Sequence, residues 1–134
     1  MRLADFPAHA RLRDKPILIV EDEALVAMLV EDGLLDAGAR VIGPAASVDE
    51  ALLLIDSAMA DGGLSAAVLD VNLNGEAVSP VADRLAALNV PFIFATGYRD
   101  ARNTGRHAAA PVIQKPFDPE RLVTAIETLA SPRR

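Results

Sequence analysis

Short runs of apolar residues recur along the chain, and they show no regular alternation with polar positions. Such runs are typical of strands that are buried on both faces of a parallel sheet. They predict five strands, at residues 17–20, 41–43, 66–69, 92–95 and 112–113.

The stretch after the first strand has the spacing of a helix. Its apolar stripe consists of Leu25, Met28, Leu29 and Leu35, and Gly38 provides a suitable end. We expect this stripe to face the core.

Further helices are marked by capping signals and composition. Ser47 and Glu50 have the spacing of a capping box, and Asp118 precedes a proline at the start of the last helix. Residues 99–109 are polar and rich in alanine, so we expect the fourth helix to be short or mobile. The alternation predicts an α/β fold: a doubly wound, five-stranded parallel sheet in the flavodoxin-like order 2-1-3-4-5 with about five helices.

Composition fits one globular domain. Of the 134 residues, 51% are hydrophobic and 24% are charged, which is enough apolar material for one core. The formal net charge of −6 opposes binding to nucleic acid and to anionic membranes. No run approaches the roughly 20 apolar residues of a membrane span, so we expect no membrane insertion. The absence of cysteine excludes disulfides and thiolate metal sites, and a cytoplasmic location is expected.

The ends of the chain lack the strand and helix pattern. Residues 1–14, with a proline and scattered arginine and alanine, are expected to form a flexible leader. Residues 15–131 are then the folded domain and residues 132–134 a short tail. We expect no output domain.

Polar side chains follow the predicted strands at the carboxyl edge of the sheet, where sites form in open α/β folds. The first strand ends in Glu21 and Asp22, the third in Asp70, the fourth in Thr96 and the fifth near Lys115. Three carboxylates and one ammonium leave an excess of negative charge, which a divalent cation would offset. Oxygen ligands without His or Cys favour a hard ion such as Mg²⁺.

This set of groups suits phosphoryl transfer to a carboxylate. The charge on a transferring phosphoryl group spreads over its oxygens, and it needs a cation, an ammonium and a hydroxyl directed at them. Mg²⁺, Lys115 and Thr96 would supply these groups, and Asp70 would be the nucleophile.

Four segments, in this order along about residues 15–130, resemble the motifs of response regulator receiver domains. They are Ile17-Leu18-Ile19-Val20-Glu21-Asp22-Glu23, Val68-Leu69-Asp70-Val71-Asn72-Leu73, Phe94-Ala95-Thr96-Gly97 and Gln114-Lys115-Pro116-Phe117. The resemblance implies a signalling protein, and not an enzyme with turnover, that catalyses its own phosphorylation and dephosphorylation on Asp70.

The resemblance also implies a role for each matching residue. Glu21 and Asp22 form the acidic pair, with Asp22 a direct Mg²⁺ ligand beside Asp70 and Glu21 acting through water. The backbone carbonyl of Asn72 is a further ligand. Lys115 pairs with the phosphoryl group, and the peptide bond between Lys115 and Pro116 is expected to be cis.

Residues 91–98 resemble a subgroup of stand-alone receivers from alphaproteobacteria with a Phe-Ala-Thr-Gly motif. Its members work beside sensor kinases of the HWE type, which implies a sensor histidine kinase or a histidine phosphotransfer protein as the phosphoryl donor. The strand position that usually holds an aromatic switch residue is Val112 here, a departure from the family pattern. Tyr98, after Gly97, is either its substitute or a packing aromatic. A weak homodimer through the fourth helix, fifth strand and last helix is also expected.

Two other functions compete with this interpretation. A phosphohydrolase that forms an aspartyl phosphate also uses Asp, Thr, Lys and Mg²⁺. Such enzymes, however, carry a cap domain and place the nucleophile in a D-x-D motif on the first strand. A degenerate receiver that serves only as a binding scaffold is opposed by the intact Asp70, Thr96 and Lys115. The sequence names neither the cognate kinase nor the downstream protein partner.

Overall fold

The structure is a computed structural model, which describes residues 11–97, 107 and 109–131. The strands are β1 (Pro16–Val20), β2 (Arg40–Ala45), β3 (Ala66–Asp70), β4 (Asn72–Leu73), β5 (Glu76–Ala77), β6 (Phe92–Thr96) and β7 (Val112–Gln114). The helices are α1 (Ala24–Asp36), α2 (Val48–Ala60), α3 (Ser79–Ala87) and α4 (Pro119–Ala130).

Five of these strands form one parallel sheet in the order β2-β1-β3-β6-β7. This confirms the predicted order 2-1-3-4-5, since β4 and β5 pair only with each other. Residues 98–106 and 108, which make up most of the predicted fourth helix, lie outside the described part of the chain. None of the four described helices has the length and apolar surface that crossing a bilayer requires.

The central strand β3 is buried along its whole length. Ala67 and Leu69 face an apolar cluster that includes residues of α2 and α3. Ala66 and Val68 face a second cluster that includes residues of α1 and α4. Because successive side chains of a strand point to opposite faces, the sheet separates two apolar layers, and Asp70 lies at its carboxyl edge.

The prediction of the buried face of α1 is wrong. Leu25, Met28, Leu29 and Leu35 are between 51% and 75% exposed. The helix instead buries three other apolar residues, Ala27, Val30 and Leu34. Since apolar residues occupy most positions of α1, their spacing could not select the face that packs on the sheet.

The predicted extent of the flexible leader is wrong for residues 11–14. Leu12 is fully buried in the cluster beneath α1 and α4. The Arg11 guanidinium donates hydrogen bonds to three side chains of α4, Glu120, Thr124 and Glu127. These residues belong to the packed domain, whereas residues 1–10 lie outside the described residues.

A short antiparallel hairpin, β4–β5, lies between β3 and α3 and was not predicted. Its two turn residues are Asn74 and Gly75, with φ of 53° and 88°. A type I′ turn needs positive φ at both of these positions, which explains the Asn-Gly pair. Strands of two residues are too short to leave a pattern of alternation in the sequence.

Candidate functional site

The carboxyl edge of the sheet brings the ends of β1, β3, β6 and β7 side by side. Glu21 and Asp22 follow β1, Asp70 ends β3, Thr96 ends β6 and Lys115 follows β7. One carboxylate oxygen from each of Glu21, Asp22 and Asp70 lies within 4.8 Å of the other two. The five strand-end residues singled out in the sequence therefore lie at one edge of the fold.

Lys115 inserts its ammonium among three carboxylates. Its Nζ atom lies 2.9 Å from Glu21 Oε1, 3.2 Å from Asp70 Oδ2 and 3.5 Å from Glu23 Oε1. Burial alone would favour the neutral amine, but hydrogen bonds and charge from Glu21 and Asp70 raise the pKa of Lys115 above its ordinary value. The ammonium is therefore held in its charged form.

Glu23 is a member of this cluster that the sequence analysis did not assign. Its exposed carboxylate reaches Lys115, and its backbone N–H donates to Glu21 Oε2 at 3.0 Å. Its place directly after the acidic pair was the only available signal, and that signal does not distinguish it from a solvated surface acid.

Asp70 is buried, with 4% of its surface exposed. The pKa of its carboxyl is raised from 3.8 to about 7, chiefly by burial and further by a hydrogen bond and repulsion from Glu21. The Asn72 N–H, which donates to Asp70 Oδ1 at 3.2 Å, and the charge of Lys115 act in the opposite direction. Negative charge is costly at this position, so a bound cation would stabilise the ionised carboxylate.

The β4–β5 hairpin contacts the second acid of the pair. The Asn74 N–H donates to Asp22 Oδ2 at 2.9 Å. The Asn72 side chain accepts a hydrogen bond from the Gly75 N–H at 2.7 Å and so closes the turn. The predicted ligand residue Asn72 therefore belongs to the hairpin that bonds to both acids.

Thr96 is buried at the end of β6, and its hydroxyl donates to the Gly97 carbonyl at 3.0 Å. Its own carbonyl accepts from the Lys115 N–H at 2.8 Å, which ties these two site residues together through the backbone. The peptide bond between Lys115 and Pro116 is cis, as predicted.

Of the residues that bear on the predicted switch, the structure describes Val112 and Gly97. Val112 lies on the edge strand β7, opposite Phe94 in the ladder, and is 47% exposed. Gly97 lines the site, whereas Tyr98, the candidate substitute for the aromatic switch, lies outside the described residues.

An open cavity of about 350 Å³ lies over the carboxylates. Its lining residues are Asp22, Glu23, Asp70, Asn72, Asn74, Gly75, Gly97 and Lys115. They offer carboxylate, amide and backbone oxygens, the donors that hard divalent cations prefer. The residues present therefore fit Mg²⁺, and the open side leaves room for water and for a phosphoryl group.

Comparison with known proteins identifies the family of this chain. The family model for the response regulator receiver domain matches residues 17–127. The phyllosphere-induced regulator PhyR of Methylorubrum extorquens is 35% identical over 111 residues, which is 82% of this chain. The chain spans only 41% of the length of that relative.

Two solved structures match over most of their length. SdrG from Sphingomonas melonis Fr1 is 43% identical, with a TM-score of 0.73, and the match covers 90% of this chain and 98% of SdrG. The BeF3-activated conformation of SdrG, from Pseudomonas melonis Fr1, is 44% identical with a TM-score of 0.68, covering 87% of this chain and 96% of that one. The chain thus belongs to the family of response regulator receiver domains, the signalling modules of two-component systems.

Proposed function

We propose that this receiver domain accepts a phosphoryl group on Asp70 in a Mg²⁺-dependent reaction and signals through protein–protein interaction. The observation that carries the proposal is the charge arrangement at the sheet edge. Three carboxylates supply ligand oxygens within 4.8 Å of one another, and the Lys115 ammonium lies between two of them.

Transfer from a phosphohistidine would form one bond and break one. An oxygen of Asp70 attacks phosphorus while the bond from phosphorus to the donor imidazole nitrogen breaks, and the imidazole leaves with the electron pair. Lys115 lies 3.2 Å from Asp70 and would pair with the phosphoryl oxygens. Thr96 would turn its hydroxyl from the Gly97 carbonyl toward the same oxygens.

Asp22, Asp70 and the Asn72 carbonyl would bind Mg²⁺ directly, and Glu21 would act through water. The bound ion would neutralise charge that develops on the transferring oxygens. A relative that is 44% identical has a BeF3-activated conformation, and BeF3 mimics a phosphoryl group, which supports an equivalent site in this chain.

The donor is proposed to be a sensor histidine kinase, of the HWE type, or a histidine phosphotransfer protein, and a cytoplasmic location follows from that donor. Glu23 is part of the cavity rim, and the exposed apolar stripe of α1 begins two residues later. Leu25, Met28 and Leu29 lie on one face of the helix because their spacings are three and four residues. Exposed apolar surface beside the site supports docking of a protein donor.

Output is proposed to begin at Thr96. Thr96 and Lys115 would move toward the new phosphoryl oxygens, and Gly97 has no side chain to oppose the backbone change. Tyr98 stays the candidate that reports the change to a partner. The predicted homodimer through the fourth helix, β7 and α4 also stays a prediction.

Labelling by acetyl phosphate tests the proposal. Wild-type protein with Mg²⁺ should gain an acid-labile phosphate, EDTA should prevent it, and Asp70→Asn should remain unlabelled. Asp49→Asn, which alters an exposed acid of α2, is the matched control and should be labelled like the wild type. Labelling of Asp70→Asn at the wild-type level would contradict the proposal. Turnover of small phosphate esters would favour a phosphohydrolase, and an unlabelled wild type would favour a scaffold.

A further inference from the structure

We infer that the β4–β5 hairpin is a positioning element, which holds Asp22 and Asp70 as one-oxygen ligands and thereby fits the site to Mg²⁺ rather than to Ca²⁺. The inference rests on the proposed function, because it concerns the ion that the phosphorylation site would bind. It adds a positioning role for residues 72–75, beyond the ligand role that the resemblance gives to the Asn72 carbonyl.

The hairpin bonds to both acids through its backbone. The Asn72 N–H donates to Asp70 Oδ1 at 3.2 Å, and the Asn74 N–H donates to Asp22 Oδ2 at 2.9 Å. Lys115 lies against the second oxygen of Asp70. One oxygen of each carboxylate therefore accepts a hydrogen bond from a hairpin N–H, and the hairpin links the two acids.

The hairpin is itself rigidly built. Its turn is closed by the hydrogen bond from the Gly75 N–H to the Asn72 side chain at 2.7 Å. At its base the Val78 N–H donates to the Val71 carbonyl at 3.2 Å. Leu73 is buried in the apolar cluster beside α2 and α3, which anchors the hairpin to the core.

One-oxygen carboxylates favour the smaller ion. Mg²⁺ demands near-ideal octahedral geometry and keeps several waters, whereas Ca²⁺ accepts more ligands in flexible geometry and often binds both oxygens of a carboxylate. A hydrogen bond to one oxygen of a carboxylate opposes binding of an ion by both of its oxygens. Loosening the hairpin should therefore weaken Mg²⁺ binding more than Ca²⁺ binding.

Gly75→Ala is the sharpest variant. Gly75 has φ of +88°, which an L residue rarely adopts, and an added Cβ would meet nothing within 4 Å. The substitution thus strains the turn without a steric clash. Gly62 is a matched control, since it has φ of +101°, equally empty surroundings, and a position after α2.

The dissociation constants of Mg²⁺ and Ca²⁺ would be measured by NMR titration of the full chain, with thermal unfolding measured in parallel. Gly75→Ala should weaken Mg²⁺ binding roughly tenfold and Ca²⁺ binding less, as removal of ligand-orienting groups does elsewhere. Gly62→Ala should lower the melting temperature similarly and leave both constants unchanged.

Three outcomes would overturn the inference: Mg²⁺ binding by Gly75→Ala at wild-type strength, an equal loss for both ions, or the same loss in Gly62→Ala. If the wild type binds Mg²⁺ and is labelled on Asp70 in any of these cases, only the positioning role fails. If the wild type does not bind Mg²⁺, the proposed function fails with it.

Discussion

Lys115 Nζ and Glu21 Oε1 lie 2.9 Å apart at the carboxyl edge of the sheet, closer than Lys115 lies to Asp70. Glu21 therefore has two effects on its neighbours. It keeps the ammonium charged beside the proposed phosphoacceptor, and it raises the pKa of the Asp70 carboxyl.

Glu21→Gln should lower the pKa of Asp70 and weaken Mg²⁺ binding. The amide has the same shape without the charge, so it removes the repulsion that favours protonated Asp70. Carbon-13 NMR titration of the metal-free protein would follow the carboxyl, and Mg²⁺ affinity should fall roughly tenfold. Asp49→Asn is the control and should change neither quantity. An unaltered Asp70 titration in Glu21→Gln would assign the whole rise to burial.

Titration of Asp70 should make the metal-free protein less stable as the pH rises from about 4 to about 7. The pKa of Asp70 is about 7 in the folded protein and near its ordinary value of 3.8 in the unfolded chain. Between these values the folded state holds a proton that the unfolded state has lost, so increasing pH favours unfolding, and the effect levels off above the folded pKa.

Urea unfolding in EDTA would isolate this effect by comparison with Asp70→Asn, which lacks the titrating group. The free energy of unfolding of the wild type should fall by roughly 2–4 kcal/mol relative to the variant across that range. Parallel pH profiles for the two proteins would refute the prediction.

Leu25→Ser should impair phosphorylation by a protein donor and spare phosphorylation by acetyl phosphate. Leu25 is 75% exposed beside the site, so the change removes docking surface without disturbing the core. Loss of one apolar contact of about 1.4 kcal/mol corresponds to a tenfold lower transfer efficiency from the kinase. Leu53→Ser, on α2 and 70% exposed, is the matched control. An equal effect of both substitutions would place the docking surface elsewhere.

Leu12→Ala should lower the free energy of unfolding by about 2–5 kcal/mol, as loss of a buried leucine does. Leu12 is fully buried although it lies before the first strand. Arg11→Ala removes contacts to α4 at the surface and should cost only about 1 kcal/mol. Urea unfolding at one pH measures both, and a Leu12→Ala value below that of Arg11→Ala would contradict the assigned packing.

The sheet and the position of the site could be predicted because one physical rule governs each. Strands that are buried on both faces appear in the sequence as continuous apolar runs. The observed bounds of β3 and β6 differ from those of the predicted runs by one residue. Parallel order then places the strand ends together, so Asp70 and Thr96 were expected at one edge before any distance was known.

Features that depend on tertiary packing were not predictable in the same way. The face that α1 buries depends on the elements packed against it. At Gly33, for example, α1 lies so close to α4 that an added Cβ would be 3.2 Å from the Pro119 side chain. The burial of Leu12 could not be predicted from hydrophobic periodicity, because Leu12 is a single apolar residue in a polar stretch. The hydrogen bond from Asn74 to Asp22 joins residues 52 apart, so only the folded chain could reveal it.

α1 divides its apolar residues between two faces, one packed on the sheet and one open to solvent. Substitutions on the open face cost little stability, usually within about 0.5 kcal/mol. Gene duplicates of this chain could therefore diverge on that face alone, each copy acquiring its own partner while keeping the same fold and the same chemistry at Asp70. Parallel signalling pathways, in which each duplicate recognises only its own partner, would then require changes on a single helix.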